Sequence, residues 1–101
     1  MRKYLYLFAL VTGLNHAFLK AQCGETGSQL IVSSQEQLDA LASCELFNGD
    51  LMLSSTNITN LDALSQLTVV NGNFYLLNTS VADLSPLASL NNAVQILIQG
   101  N

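Results

Sequence analysis

The sequence predicts an α/β protein: a right-handed β-α solenoid with one parallel sheet and about four rungs. Three observations lead there. Leu38-Asp39-Ala40-Leu41 recurs as Leu61-Asp62-Ala63-Leu64 and again as Leu84-Ser85-Pro86-Leu87, at a step of 23 residues. The same step aligns Leu30, Leu53 and Leu76; Cys44, Leu67 and Leu90; Ile58 and Val81; Gly49 and Gly72. Each unit opens with an alternating stretch, as a strand with one buried face requires. It then continues with apolar residues at every third position, the spacing of a short helix or 3₁₀ turn. A period of this size means one supersecondary unit stacked on copies of itself, because a single unit cannot bury its own apolar side.

In chain order, residues 1–21 read as a leader. Arg2-Lys3 is basic, residues 4–14 are apolar, and Leu19-Lys20-Ala21 ends on a small residue. That is the layout of a secretory signal peptide cut after Ala21. The apolar run falls short of the roughly 20 residues needed to span a bilayer; an uncleaved anchor is the rival reading. Residues 22–101 then form the solenoid, without a transmembrane segment, and are expected to be secreted or at the cell surface.

Loss of the leader removes Arg2, Lys3, Lys20 and His16, the only basic residues and the only histidine, so the formal charge moves from −4 to −7. A surface without cations does not neutralise phosphates, which argues against nucleic acid as a partner. Activated Ser-His, Cys-His and Ser-Lys nucleophiles are excluded with those residues, as are histidine-based zinc sites. No catalytic residue, cofactor or metal is expected. Asp39 and Asp62 share a column and are the one carboxylate pair to weigh for glycoside hydrolysis, but acids at helix starts are the simpler reading. No Asp-x-Asp-x-Asp-Gly loop occurs; Asp50 beside Asn48 is the nearest approach to a calcium cluster.

Cys23 and Cys44 read as a disulfide in an exported chain, worth about 3 kcal/mol by loop closure. The alternative keeps Cys44 as a buried small hydrophobe, in column with Leu67 and Leu90, and Cys23 free. Lipid attachment at Cys23 is weakly supported, since Gln22 is not the small residue such sites need.

Strands are expected at Leu51-Met52-Leu53, Phe74-Tyr75-Leu76 and Ile96-Leu97-Ile98. Their outer members, Leu51, Leu53, Phe74, Leu76, Ile96 and Ile98, face inward against the leucine triplets. Helical starts are signalled by a capping box of Ser33 with Glu36, by Asn60 before Leu61, and by Ser85-Pro86, a cap followed by a first-turn proline. Gly49 and Gly72 precede strands, where a tight turn calls for φ freedom. Phe74 to Ile96 is 22 residues, so the last loop shortens near Asn91-Asn92.

Gly49-Asp50-Leu51-Met52-Leu53 and the stretch Leu67-Thr68-Val69-Val70-Asn71-Gly72-Asn73-Phe74-Tyr75-Leu76 resemble the repeats of receptor L domains. Val81-Ala82-Asp83-Leu84-Ser85-Pro86-Leu87-Ala88-Ser89-Leu90, followed by Ile96-x-Ile98-x-x-Asn101, is similar to the internalin type of leucine-rich repeat. The resemblance covers residues 23–101 and implies a related right-handed solenoid that binds a protein or glycan ligand. Thr56 and Thr79 stand where leucine-rich repeats carry the asparagine that Asn101 supplies, which favours the L-domain form.

The working surface is expected on the exposed sheet face. Gln29, Met52, Tyr75 and Leu97 form its central column, flanked by Asp50, Asn73 and Gln95 on one side and by Ser54, Leu77 and Gln99 on the other. An apolar stripe with polar borders is the composition of a binding patch; cover by a further domain or a neighbouring copy is the alternative. The expected function is non-catalytic recognition or adhesion. The rival is a structural role as the N-terminal cap and first repeats of a longer surface protein. No polar cap follows Ile98, so the sequence predicts truncation at the C-terminus and an open edge suited to self-association. Asn57-Ile58-Thr59 and Asn78-Thr79-Ser80 match the N-glycosylation pattern.

Overall fold

In the computed structural model Leu51 pairs with Phe74 at the 23-residue step, and Phe74 with Ile96 at the shortened step of 22. Residues 21–101 are described; the leader expected over residues 1–21 lies, apart from Ala21, outside the described residues. The strands are β1 (Gln22–Val32), β2 (Leu46–Ser54), β3 (Val69–Asn71), β4 (Asn73–Leu77) and β5 (Gln95–Gln99). They form one sheet in the order β1-β2-β4-β5, with β3 also on β2, and every pairing is parallel. Between strands the chain makes one short helix, α1 (Gln35–Asp39), and 3₁₀ helices at Asp62–Leu64 and Ser85–Ser89. The fold is thus α/β, with a parallel sheet and few helical residues.

Successive units are tied at the same corner. The carbonyl of Ala21 accepts from the Glu45 N–H at 2.9 Å, that of Glu45 from the Thr68 N–H at 2.8 Å, and that of Thr68 from the Asn91 N–H at 2.9 Å. On the helical side α1 neighbours the Asp62–Leu64 helix, which in turn neighbours Ser85–Ser89. Gln35 spans two units there. Its side-chain oxygen accepts from the backbone N–H groups of Thr59 and Asn60, and its nitrogen donates to the Asn60 carbonyl and to Asp39.

The core lies between the sheet and the helical segments. Leu51, Leu53, Phe74 and Leu76 are buried against Leu38, Cys44, Leu61, Leu64 and Leu67. Phe47 and Val70 add an inward column that the sequence reading did not include. Ile96 and Ile98 take the inward side as expected but are half exposed, at 50% and 41%, because only β4 flanks them.

The first unit departs from the expected register. Leu30 pairs with Leu51, and it is Val32 that pairs with Leu53. Val32 is 1% exposed whereas Leu30 is 40% exposed. The cause is a shorter link from strand to helix. Val32 lies six positions before Leu38, against eight between Leu53 and Leu61. A slip of two keeps each side chain on its expected face, since strand side chains alternate with period two.

β1 accommodates the slip with a bulge. Gln22 to Gly24 pair with Leu46 to Asn48 and Gln29 to Val32 with Asp50 to Leu53, which leaves residues 25–28 opposite Gly49 alone. Gly49 has φ 93°, and any Cβ there would collide with the carbonyl oxygens of Glu25 and Ser28. Gly72 has no positive φ, contrary to expectation. Its requirement is space, because a Cβ would strike the Gly49 carbonyl and the Asp50 carboxylate.

Two caps also differ in detail. The N-cap of α1 is Ser34, whose hydroxyl accepts from the Gln37 N–H, while the Gln37 side chain accepts from Ser33. The cap is therefore Ser34 in place of Ser33, and Gln37 in place of Glu36 reaches back, to the N–H of Ser33. Ahead of Ser85–Ser89 the side-chain oxygen comes from Asp83, which accepts from the Ser85 N–H at 2.9 Å; Ser85 itself caps nothing there. Asn60 makes the equivalent turn one unit earlier, accepting from Asp62 at 3.1 Å.

Candidate recognition face

The outward side of the sheet is built by the odd partners of the buried residues. Pairing places Ile31 beside Met52, Met52 beside Tyr75, and Tyr75 beside Leu97. Adjacent strands stand about 4.8 Å apart, so the four side chains form one continuous apolar column. Ile31 is 54% and Leu97 38% exposed; Met52 and Tyr75 are half-buried by their neighbours along the column.

Gln29 is not in this column. It pairs with Asp50 and heads the polar border of Gln29, Asp50, Asn73 and Gln95. The displaced position belongs to Ile31. The stretch Gln29-Leu30-Ile31-Val32 holds three consecutive apolar residues, so its alternation marks no single register. Counting back from the leucines of α1 is the signal that finds it. On the other side Ser54 pairs with Leu77 and Leu77 with Gln99, as expected.

The polar border is held in place. The Asp50 carboxylate accepts the Asn73 N–H at 2.8 Å. Beyond it, Asn71 donates to the Asn48 side chain and Asn48 to that of Gln22, at 3.2 and 3.3 Å. Asn48 and Asp50, the nearest approach to a calcium cluster, thus spend oxygens on their neighbours. Asp39 likewise accepts from Gln35. Among the described residues no three His, Cys, Asp or Glu gather as a metal site would require.

Electrostatics are one-signed. Lys, Arg and His are absent among residues 21–101, which carry seven carboxylates. The backbone N–H of Ser85, and then its hydroxyl, hold the Asp83 carboxyl below its ordinary value. Asp83 lies in the turn before Ser85–Ser89, away from the sheet face.

Cys23 and Cys44 are joined in a disulfide with their Cα atoms 5.9 Å apart, so the free-thiol alternative is set aside. Cys44 is also buried in its expected column. The bond ties the start of β1 to the corner after α1. Asn57 and Asn78 are both exposed in turns that follow strands. A shallow cleft of about 180 Å³ opens under the β1 bulge, lined by Gly24, Leu30 and Phe47 among others. No helix among the described residues is long and apolar enough to cross a membrane.

No protein-family model matches this chain, and neither a curated protein nor a solved structure matches it significantly. The functional reading therefore rests on the chain's own geometry.

Proposed function

We propose that residues 22–101 are an exported, non-catalytic recognition or adhesion module, a right-handed solenoid of about four rungs of the L-domain or leucine-rich-repeat kind. The observation that carries this reading is the column Ile31, Met52, Tyr75 and Leu97, an apolar stripe bordered on one side by Gln29, Asp50, Asn73 and Gln95. A rigid sheet offers one side chain per strand to a ligand at little ordering cost, which is how repeat surfaces recognise partners. Tyr75 supplies a flat ring with a polar tip, suited to a sugar face or a peptide side chain. The acidic surround disfavours phosphate-bearing partners and favours neutral glycans or cationic protein surfaces.

Export is supported by the basic, apolar and small-residue layout of residues 1–21 and by the disulfide, a bond typical of oxidising compartments. Mass spectrometry of medium or surface fractions checks it: the expected mature chain begins at Gln22. Recognition is checked on a glycan array and a peptide-display library. Tyr75→Ala is expected to weaken any selected ligand by about tenfold or more while the fold persists. A ligand that binds Tyr75→Ala as well as the parent removes the sheet face from consideration.

A second reading, the first repeats of a longer surface protein, is favoured by the half-exposed Ile96 and Ile98. Further units at a 23-residue step in the same reading frame would carry it.

A further inference from the structure

We infer that β5 is a homodimer edge, pairing antiparallel with β5 of a second copy about a two-fold axis at Leu97. This is independent of the recognition reading. Gln95-Ile96-Leu97-Ile98-Gln99 reads the same in both directions. A two-fold perpendicular to the sheet therefore sets Ile96 opposite Ile98, Gln95 opposite Gln99, and Leu97 opposite itself. Inward residues meet inward residues, and outward meet outward. Self-complementarity of this kind is what an isologous interface requires.

The backbone is oriented for it. β5 is the last strand of the sheet path, bonded to β4 on one side and to no described residue on the other. The Gln99 carbonyl accepts the Asn78 N–H at 2.9 Å, so it points toward β4. Alternation along the strand turns the N–H and C=O of Ile96 and Ile98 to the outer side. Opposed across the axis, those residues form two closely bonded pairs and four hydrogen bonds, with Leu97 in the non-bonded pair between them.

Charge singles out the same edge. Residues 84–101 contain no ionised side chain, while the preceding described residues hold seven carboxylates and no cation. Two copies thus approach through β5 without like-charge repulsion. β1, at the opposite end of the sheet, carries Glu25 and is distorted by its bulge, as protected edges are. β5 has neither a charge nor a proline to blunt it. Pairing also covers Ile96, Ile98 and Leu84, which are 50%, 41% and 42% exposed, and makes the two cores continuous.

Sedimentation and light scattering of the full exported chain across a concentration series test this. A dimer is expected. Leu97→Lys places two ammonium groups face to face, as Leu97→Glu does two carboxylates. Each is expected to weaken self-association by about tenfold or more with circular dichroism unchanged. Mixing the two variants is expected to restore a dimer. Leu97→Cys, with Cα atoms about 4.5 Å apart across the axis, is expected to cross-link it under oxidation. A monomer at every concentration, a dimer indifferent to Leu97→Lys, or an open-ended polymer would overturn the proposal.

Discussion

The side-chain oxygen of Asn101 accepts from both the backbone N–H and the hydroxyl of Thr79, one unit earlier in the chain. Its amide nitrogen donates to the carbonyls of Leu76 and Gln99. One side chain therefore satisfies the turn after β4 and the turn after β5 together. Thr79 is buried, so these bonds replace water that cannot reach it. Asn101→Ala is expected to cost about 1–2 kcal/mol. Amide exchange at Thr79 should accelerate while that at Leu53 stays slow; an unaltered Thr79 would show that the bridge contributes nothing.

The Cys23–Cys44 disulfide restrains the strand whose register differs from the others. Replacing both cysteines by alanine is expected to lower stability by about 3 kcal/mol, read as a shift in urea midpoint. Hydrogen exchange should show the loss concentrated in β1. A uniform loss across β4 and β5 would contradict this.

Phe74 and Tyr75 are neighbours on opposite faces. Phe74 is fully buried beneath the sheet and Tyr75 lies half-buried in the outward column. Phe74→Ala is expected to cost about 3–5 kcal/mol through the cavity it leaves. Tyr75→Ala should cost less than about 1 kcal/mol. Similar midpoints for the two variants would mean that the faces have been exchanged.

Gly49 and Gly27 both have positive φ, 93° and 84°, but only Gly49 is enclosed by backbone oxygens. Gly27→Ala should cost about 1 kcal/mol, the strain of φ alone. Gly49→Ala should cost more, because the β1 bulge must also move. Thermal melts of the two variants compare them directly.

The Ser85 N–H and hydroxyl hold the Asp83 carboxyl below its ordinary value by stabilising its charged form. A depressed folded value means a contribution present above the unfolded pKa and lost as pH falls through the folded one. Carbon-13 titration of Asp83 should show the low midpoint, and Ser85→Ala should raise it modestly, since the larger backbone hydrogen bond remains. An Asp83 midpoint at or above its ordinary value would contradict the turn geometry.

The inward leucines were legible from sequence because burial on one face imposes a period, and the period survives in the text of the chain. Leu38, Leu61 and Leu64 are buried as their spacing requires. The register of β1 was not legible. Leu30, Ile31 and Val32 are equally apolar, and a bulge lets a strand slide by two without turning any side chain over. Gln29 lost its column to Ile31 for that reason. The capping residue of α1 was displaced by a single position because Ser33 and Ser34, or Glu36 and Gln37, offer the same chemistry to the backbone.

By itself the sequence determined that strands and helical turns recur every 23 residues, which faces are apolar, and that residues 22–101 carry only negative charge. Tertiary structure alone decided which residues stand side by side across strands. It set Ile31 against Met52, wrapped residues 25–28 around Gly49, and left the outer edge of β5 open among the described residues. Periodicity fixes the direction a side chain points, whereas its neighbours depend on how far each strand slides, and sliding is governed by contacts distant in sequence.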